Sequence, residues 1–287
     1  MGLTHFFARF TGGRPPVVDV WQRFERLHEI TSGTMSNFYK VREKQTGLVF
    51  GLKIIDPKKV EPVESRYKGL GKPGEGVIGS QVKGPNIVRT LEWGVTPDGR
   101  PFIVQEFIEG TLLHTVLSGR QPLAPATRID LVRQAATAVG DVHKAGFVHR
   151  DICPRNFMLE RGGRLVLFDF GLSVPDKPEF LRPGNRIGTP NYMAPEVVRR
   201  RPVDRGLDVF SFGMTAYEIC TLELPWPRGS TGKAALMHDS TPCDIREHWP
   251  DIPAKLADGI MACLAAESGG RPASMEVFLR QISRVAI

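Results

Sequence analysis

Apolar positions along this chain follow two rhythms. From Phe24 to Ile30, Asn37 to Val41 and Leu48 to Ile55 they alternate with polar residues or run in short bursts, which predicts strands. Gln45-Thr46-Gly47 and Pro97-Asp98-Gly99-Arg100 have the chemistry of tight turns, so the strands are expected to pair as an antiparallel sheet. Past Gly110 the period lengthens. Ile129, Val132, Ala136, Val139 and Val142 recur at three and four residues within Pro125 to Ala145, and Gly146 supplies a stop, so a helix is predicted there. Leu207 to Thr221, Ala254 to Ala265 and Ser274 to Ile282 also read as helices. The pattern predicts a small strand-rich lobe before a larger helical one, joined near Gln105 to Gly110, with the joint as the expected ligand site. One stretch resists assignment. Gly69, Gly71, Gly74, Gly76 and Gly79 fall between Gly69 and Lys83, and each costs about 1 kcal/mol against alanine inside a helix.

Composition narrows the class. At 287 residues, with 41% hydrophobic and 24% charged content, the chain is an ordinary globular protein with room for two lobes. The net charge of +7 is scattered, with Arg199-Arg200-Arg201 as the one dense run, so no nucleic acid is expected as partner. Cys153, Cys220, Cys243 and Cys263 lie far apart, without metal-ligand spacing or a disulfide framework. No apolar run approaches the roughly 18 residues of a transmembrane segment, and no signal-peptide core is visible, so a cytoplasmic location is expected. Residues 1–20 read as an N-terminal extension.

The chemistry concentrates in His149-Arg150-Asp151-Ile152-Cys153-Pro154-Arg155-Asn156, followed after a strand-like run by Asp169-Phe170-Gly171. Together these supply a base, an amide and a carboxylate of the kinds that phosphoryl transfer uses. Gly188-Thr189-Pro190-Asn191-Tyr192-Met193-Ala194-Pro195-Glu196 follows, then Asp208-Val209-Phe210-Ser211-Phe212-Gly213 and Gly270-Arg271-Pro272; Phe50-Gly51-Leu52-Lys53 lies upstream. In this order the segments resemble the eukaryotic-type protein kinase family, from about Phe24 to Ile282.

The resemblance implies an α+β, bilobal protein kinase-like fold. A small antiparallel β-sheet N-lobe with one helix is expected over 21–108, and a larger, mainly α-helical C-lobe over 109–287. It implies that Lys53 contacts the α- and β-phosphates of ATP and is held by Glu75. Asp151 would orient or deprotonate the substrate hydroxyl, and Asn156 and Asp169 would hold Mg2+ (or Mn2+). Ile30, Thr31, Ser32 and Gly33 would cover the phosphates, with Phe38 and Gly51 above the adenine and Met158 below it. Gln105 would be the gatekeeper, and the backbones of Glu106 and Ile108 would bond the adenine edge. Arg271 would pair with Glu196.

Several positions depart from the family. Thr31-Ser32-Gly33-Thr34-Met35-Ser36 keeps only the middle glycine of the phosphate-covering loop. Phe38 replaces a valine and Gly51 an alanine, either as a volume-conserving exchange or as a Phe-filled, closed pocket. Cys153 stands where Ser/Thr kinases have a lysine that touches the γ-phosphate and the threonine equivalent to Thr189. Arg155 stands where many tyrosine kinases place a cation that does similar work. Residues 174–187 contain no Ser, Thr or Tyr, so Asp176, Glu179 or a regulatory protein partner is expected to order that segment in place of a phosphate. The expectation is an ATP-dependent serine/threonine protein kinase of weak or unusual activity, acting on a protein substrate with a Ser/Thr acceptor. The alternative is a pseudokinase serving as a nucleotide-binding scaffold or allosteric switch.

Overall fold

In a computed structural model the described residues are 15–32, 35–184, 186–229 and 234–285. They form two compact units, one reaching Lys83 and resuming over Val88–Glu109, the other comprising Gly84–Ile87 and the chain from Gly110 onward.

The first unit is built on an antiparallel five-stranded sheet ordered β1-β2-β3-β5-β4. Its strands are β1 (Phe24–Ser32), β2 (Ser36–Glu43), β3 (Val49–Ile55), β4 (Thr90–Val95) and β5 (Pro101–Glu106). Period-two alternation sorts their side chains. Tyr39, Val41, Phe50, Leu52, Ile54, Phe102 and Val104 turn to one face and close a core with Val20 and Phe24. Cross-strand partners share a face, so the pairings Phe38 with Lys53, Lys53 with Ile103 and Gly51 with Gln105 set those five residues on the opposite face.

Three short helices accompany the sheet: α1 (Val20–Arg23), α2 (Pro57–Glu64) and α3 (Glu75–Gln81). The expected helix is α3, and α1 and α2 are additions to it. Asp56 caps α2 by accepting from the Lys58 N–H at 3.0 Å, and Pro57 occupies the first turn, where its missing N–H costs nothing. The glycines of α3 have a packing reason that periodicity conceals. A Cβ on Gly76 would stand 2.5 Å from the Cβ of Trp93 on β4, so glycine lets the helix lie close against the sheet.

The second unit is mainly helical. Short strands β6 (Gly110–Leu112), β8 (Phe157–Glu160) and β9 (Leu165–Leu167) form one sheet, and β7 (Phe147–Val148) pairs with β10 (Val174–Pro175). Its helices are α4 (Leu113–Ser118), α5 (Pro125–Lys144), α6 (Pro195–Arg199), α7 (Gly206–Thr221), α8 (Ile245–His248), α9 (Ala254–Cys263) and α10 (Met275–Gln281). The apolar stripe read for α5 is buried, and Gly146 ends it at φ +82°. Every residue of α7 from Leu207 to Cys220 is buried, which makes it the central helix of this unit. Glycine at position 213 allows α9 to approach, since a Cβ there would stand 2.7 Å from that of Cys263. Among the described residues no helix is long and apolar enough to cross a membrane.

A buried ion pair ties α6 to the loop before α10. Arg271 grips Glu196 through two bonds of 2.7 and 2.8 Å and spends its remaining donors on the carbonyls of Ala265, Ala266 and Gly206. Its guanidinium lies 5.0 Å from the ring centre of Phe210. The Arg271–Glu196 pairing expected from the sequence therefore forms. Removing one partner strands the other charge in the interior, so Arg271→Ala is expected to lower unfolding free energy by about 3 to 5 kcal/mol in urea titration.

Candidate active site

In the first unit, β3 and α3 bring Lys53 and Glu75 together. Lys53 Nζ lies 2.6 Å from Glu75 Oε1, with both side chains about nine-tenths covered. A lysine held this way is a fixed point charge for a phosphate. Beside it, Phe38 packs over Gly51, where a Cβ would stand 2.6 Å from Phe38 Cζ and 3.2 Å from Gln105 Cγ. Phe38 therefore fills the space of the missing methyl. Ile30 is exposed near the end of β1, and Thr31 and Ser32 continue that strand, paired with Phe38 and Asn37. Gly33 lies outside the described residues. The Glu106 N–H donates to the Arg89 carbonyl at 3.0 Å, so this N–H is already committed within the sheet's own unit. Ile108 follows β5, partly buried.

In the second unit, the loop after β7 is organised by Asp208 at the start of α7. Its Oδ2 accepts the His149 N–H at 2.7 Å and lies 3.0 Å from His143 Nε2; its Oδ1 accepts the Arg150 N–H at 2.8 Å. Arg150 is left-handed at φ +72° and Asp169 at φ +67°, conformations that cost non-glycine residues about 1 to 3 kcal/mol each and persist only when the surroundings enforce them. His149 is wholly enclosed against Phe170, and burial pushes its pKa down against the opposing carboxylates of Asp208, Asp151 and Asp169. It stays neutral, and its Nδ1 lies 3.3 Å from the Asp151 N–H.

Asp151 is fixed from both sides. Its Oδ1 accepts the N–H and the hydroxyl of Thr189, each at 2.8 Å, and its Oδ2 accepts from Asn156 Nδ2 at 2.9 Å. Asn156 also donates to the Asp151 carbonyl at 2.7 Å. Gly188 makes the Thr189 contacts feasible. It sits at φ +116°, and a Cβ there would stand 2.7 Å from the Arg150 carbonyl oxygen. The Asp169 carboxylate accepts from the Gly171 N–H at 3.1 Å, and the Phe168 N–H reaches the Asn156 carbonyl at 3.0 Å, which joins the two loops. Met158 is partly buried on β8 opposite Leu112 and Val166.

Cys153 and Arg155 part company. Cys153 is fully buried with its sulfur 3.4 Å from the Thr189 hydroxyl, and burial pushes its thiol up to about 12. It is therefore a neutral group. Arg155 is exposed, and among the described residues its guanidinium has no hydrogen bond or ion pair.

The amide of Asn156 and the carboxylate of Asp169 are hard oxygen donors suited to Mg2+. No group of three or more His, Cys, Asp or Glu side chains gathers to hold a metal among the described residues. A cation here would complete its shell with phosphate oxygens and water, as Mg2+ commonly does.

Three features of this neighbourhood escaped the sequence reading. The His143–Asp208 contact was hidden because His143 looks like an ordinary residue in the last turn of α5. Tyr192 donates to the buried Glu218, which also pairs with Arg228 at 2.6 Å. His238 Nδ1 donates to the Met193 carbonyl at 2.8 Å, its ring set against Trp226 and Phe210.

A five-stranded unit with a buried Lys–Glu pair, and a helical unit whose loops fix an aspartate, an asparagine and a second aspartate, are the parts of a phosphotransferase of the kinase type. A protein kinase domain model matches residues 24–281, and the chain belongs to that family. It is 30% identical to the serine/threonine-protein kinase pkn3 of Myxococcus xanthus over 89% of this chain and 48% of the relative. It is 32% identical to AtPK2/AtPK19 of Arabidopsis thaliana over 73% of this chain and 43% of the relative. PrkC of Bacillus subtilis matches at 25% over 85% of this chain and 38% of its own length. The chain thus spans less than half the length of these curated relatives.

Burial pushes the pKa of His238 below its ordinary value of 6.5. As pH falls below that value the unfolded chain takes up a proton that the folded chain refuses, so this contribution to stability is present above pH 6.5 and is lost in acid. Urea midpoints at about pH 7.5 and about pH 5.5 are expected to differ more for wild type than for His238→Gln, and equal differences would contradict the assignment.

Proposed function

We propose that this chain is an ATP- and Mg2+-dependent serine/threonine protein kinase that moves the γ-phosphoryl group of ATP to a hydroxyl of a protein substrate. The observation that carries this reading is the fixation of Asp151, which is bonded on one oxygen by Thr189 and on the other by Asn156. A free surface carboxylate has no such constraint. The fixed carboxylate orients the acceptor hydroxyl and receives its proton as the oxygen bonds to phosphorus and the bridge to the diphosphate breaks. Lys53, braced by Glu75, holds the α- and β-phosphates. Asn156 and Asp169 hold Mg2+, whose chemistry is to neutralise charge on the phosphate oxygens.

The departures tune this reading. With Cys153 neutral, the cation near the γ-phosphate is Arg155, whose exposed guanidinium is available to a nucleotide. Loss of one such contact typically costs about a hundredfold in rate. Residues 174–187 offer no hydroxyl to phosphorylate, so a protein partner or the segment's own Asp176 and Glu179 orders it. The expected setting is cytoplasmic.

Incubation with labelled ATP, Mg2+ and a generic basic protein tests the proposal. Wild type is expected to transfer label, Asp151→Asn and Lys53→Met to lose at least about a hundredfold, and Arg155→Ala to fall by a comparable factor. Equal incorporation by wild type and Asp151→Asn would refute the kinase reading. Unchanged turnover in Arg155→Ala would remove only the compensating role.

A further inference from the structure

Three of the four cysteines are closed to chemistry. Cys153, Cys220 and Cys263 are buried, and burial pushes the first two thiols up to about 12 and the third higher still. Cys243 differs in both exposure and surroundings. It is only partly buried, and its N–H is anchored to the Pro225 carbonyl at 3.0 Å, just before the Asp244 cap of α8. Its sulfur lies 3.6 Å from Nε2 of His248, an exposed residue at the other end of α8. A thiol beside an imidazole has a proton acceptor within reach.

A second observation comes from beneath. Tyr217 on α7 is wholly buried and meets the His248 ring edge-on at a centroid distance of 6.1 Å. Its hydroxyl is buried without a hydrogen-bond partner among the described residues, and it lies alongside Cys243. Burial, followed by the nearness of Cys243, pushes this phenol up, so it remains a protonated donor. A buried donor with no acceptor carries a desolvation penalty that a negatively charged sulfur beside it would relieve. Asp244 and Glu247 add acidic charge nearby, so a neutral or cationic reagent is favoured over an anionic one.

We propose that Cys243 is a thiol–disulfide exchange site that forms a mixed disulfide with a neutral or cationic small-molecule disulfide. His248 Nε2 takes the thiol proton, and the Cys243 sulfur uses the released electron pair to attack one sulfur of the reagent. The reagent's S–S bond breaks as the new one forms, and its second sulfur leaves with the bonding pair and takes the proton from His248. Tyr217 donates to the attacking sulfur while it is charged. The reagent is the only oxidant required. None of these residues belongs to the Asp151 network, so the site stands independently of the kinase reading.

The test uses the folded chain with cystamine at neutral pH, followed by intact mass and peptide mapping. One adduct per chain is expected, on Cys243, reversed by dithiothreitol and absent from Cys243→Ser. His248→Ala is expected to slow adduct formation at least about tenfold, and free imidazole in the buffer to restore part of the rate. Restoration distinguishes proton transfer from a structural role. Adducts on the buried cysteines of the folded chain, a His248→Ala rate equal to wild type, or a slow rate that imidazole does not lift would each overturn the proposal.

Discussion

The ionised carboxylate of Asp208, sealed inside the helical unit, is the constraint on which the loop carrying Asp151 depends. Burial alone would raise its pKa, yet the hydrogen bond with His143 and the backbone N–H of His149 help to hold it low. A buried charge without partners is prohibitively costly, so the loop backbone is obliged to turn its N–H groups inward. That obligation fixes Arg150 in its left-handed conformation and sends Asp151 out toward Thr189 and Asn156. Because Asp208 sits on the most buried helix of the unit and His143 on the long helix packed against it, Asp151 inherits the rigidity of the core.

From Asp151 the order spreads through single contacts with identifiable causes. Gly188 permits the close pass of the following threonine, the Phe168 N–H couples the asparagine to the loop of Asp169, and Glu196 is locked by Arg271. Departures from the family gather where a neutral group can be absorbed. Cys153 packs as a buried thiol against Thr189, and Phe38 takes up the volume that Gly51 gives away. Neither change disturbs a charge or an oxygen ligand of the proposed phosphotransfer set.

Most of the architecture was legible in the sequence because its elements carry their own periodicity. Helix α5 has both its apolar stripe and its stop glycine, and β2 alternates while β3 runs apolar on either side of a short turn. Helix α2 was not legible, because Pro62 reads as a breaker while its real signal is local, an Asp cap followed by Pro57. The glycines of α3 were read as weakness, whereas at Gly76 the decisive factor is the distance to Trp93, which no local pattern encodes. In the candidate site, Asp151, Asn156 and Asp169 were named from the order of the segments and the resemblance they carry, and the first two meet through the Asn156 amide. The partnership of His143 with Asp208 was not legible, since it joins residues 65 apart and nothing in the sequence around His143 marks it out. Arg155 illustrates the opposite limit. Its position suggests a role, and a guanidinium without a partner among the described residues is compatible with one, but its partner would be the nucleotide itself.

Asp208 thus positions Asp151 rather than merely stabilising the fold. The direct measurement is kcat together with nucleotide affinity for Asp208→Asn, in protein shown to be folded by near-ultraviolet circular dichroism. The amide keeps the shape but loses the charge and one acceptor oxygen. Turnover is expected to fall by about a hundredfold while nucleotide affinity stays within about threefold of wild type, because Lys53 and Glu75 are untouched. A folded Asp208→Asn variant with wild-type turnover would contradict the account.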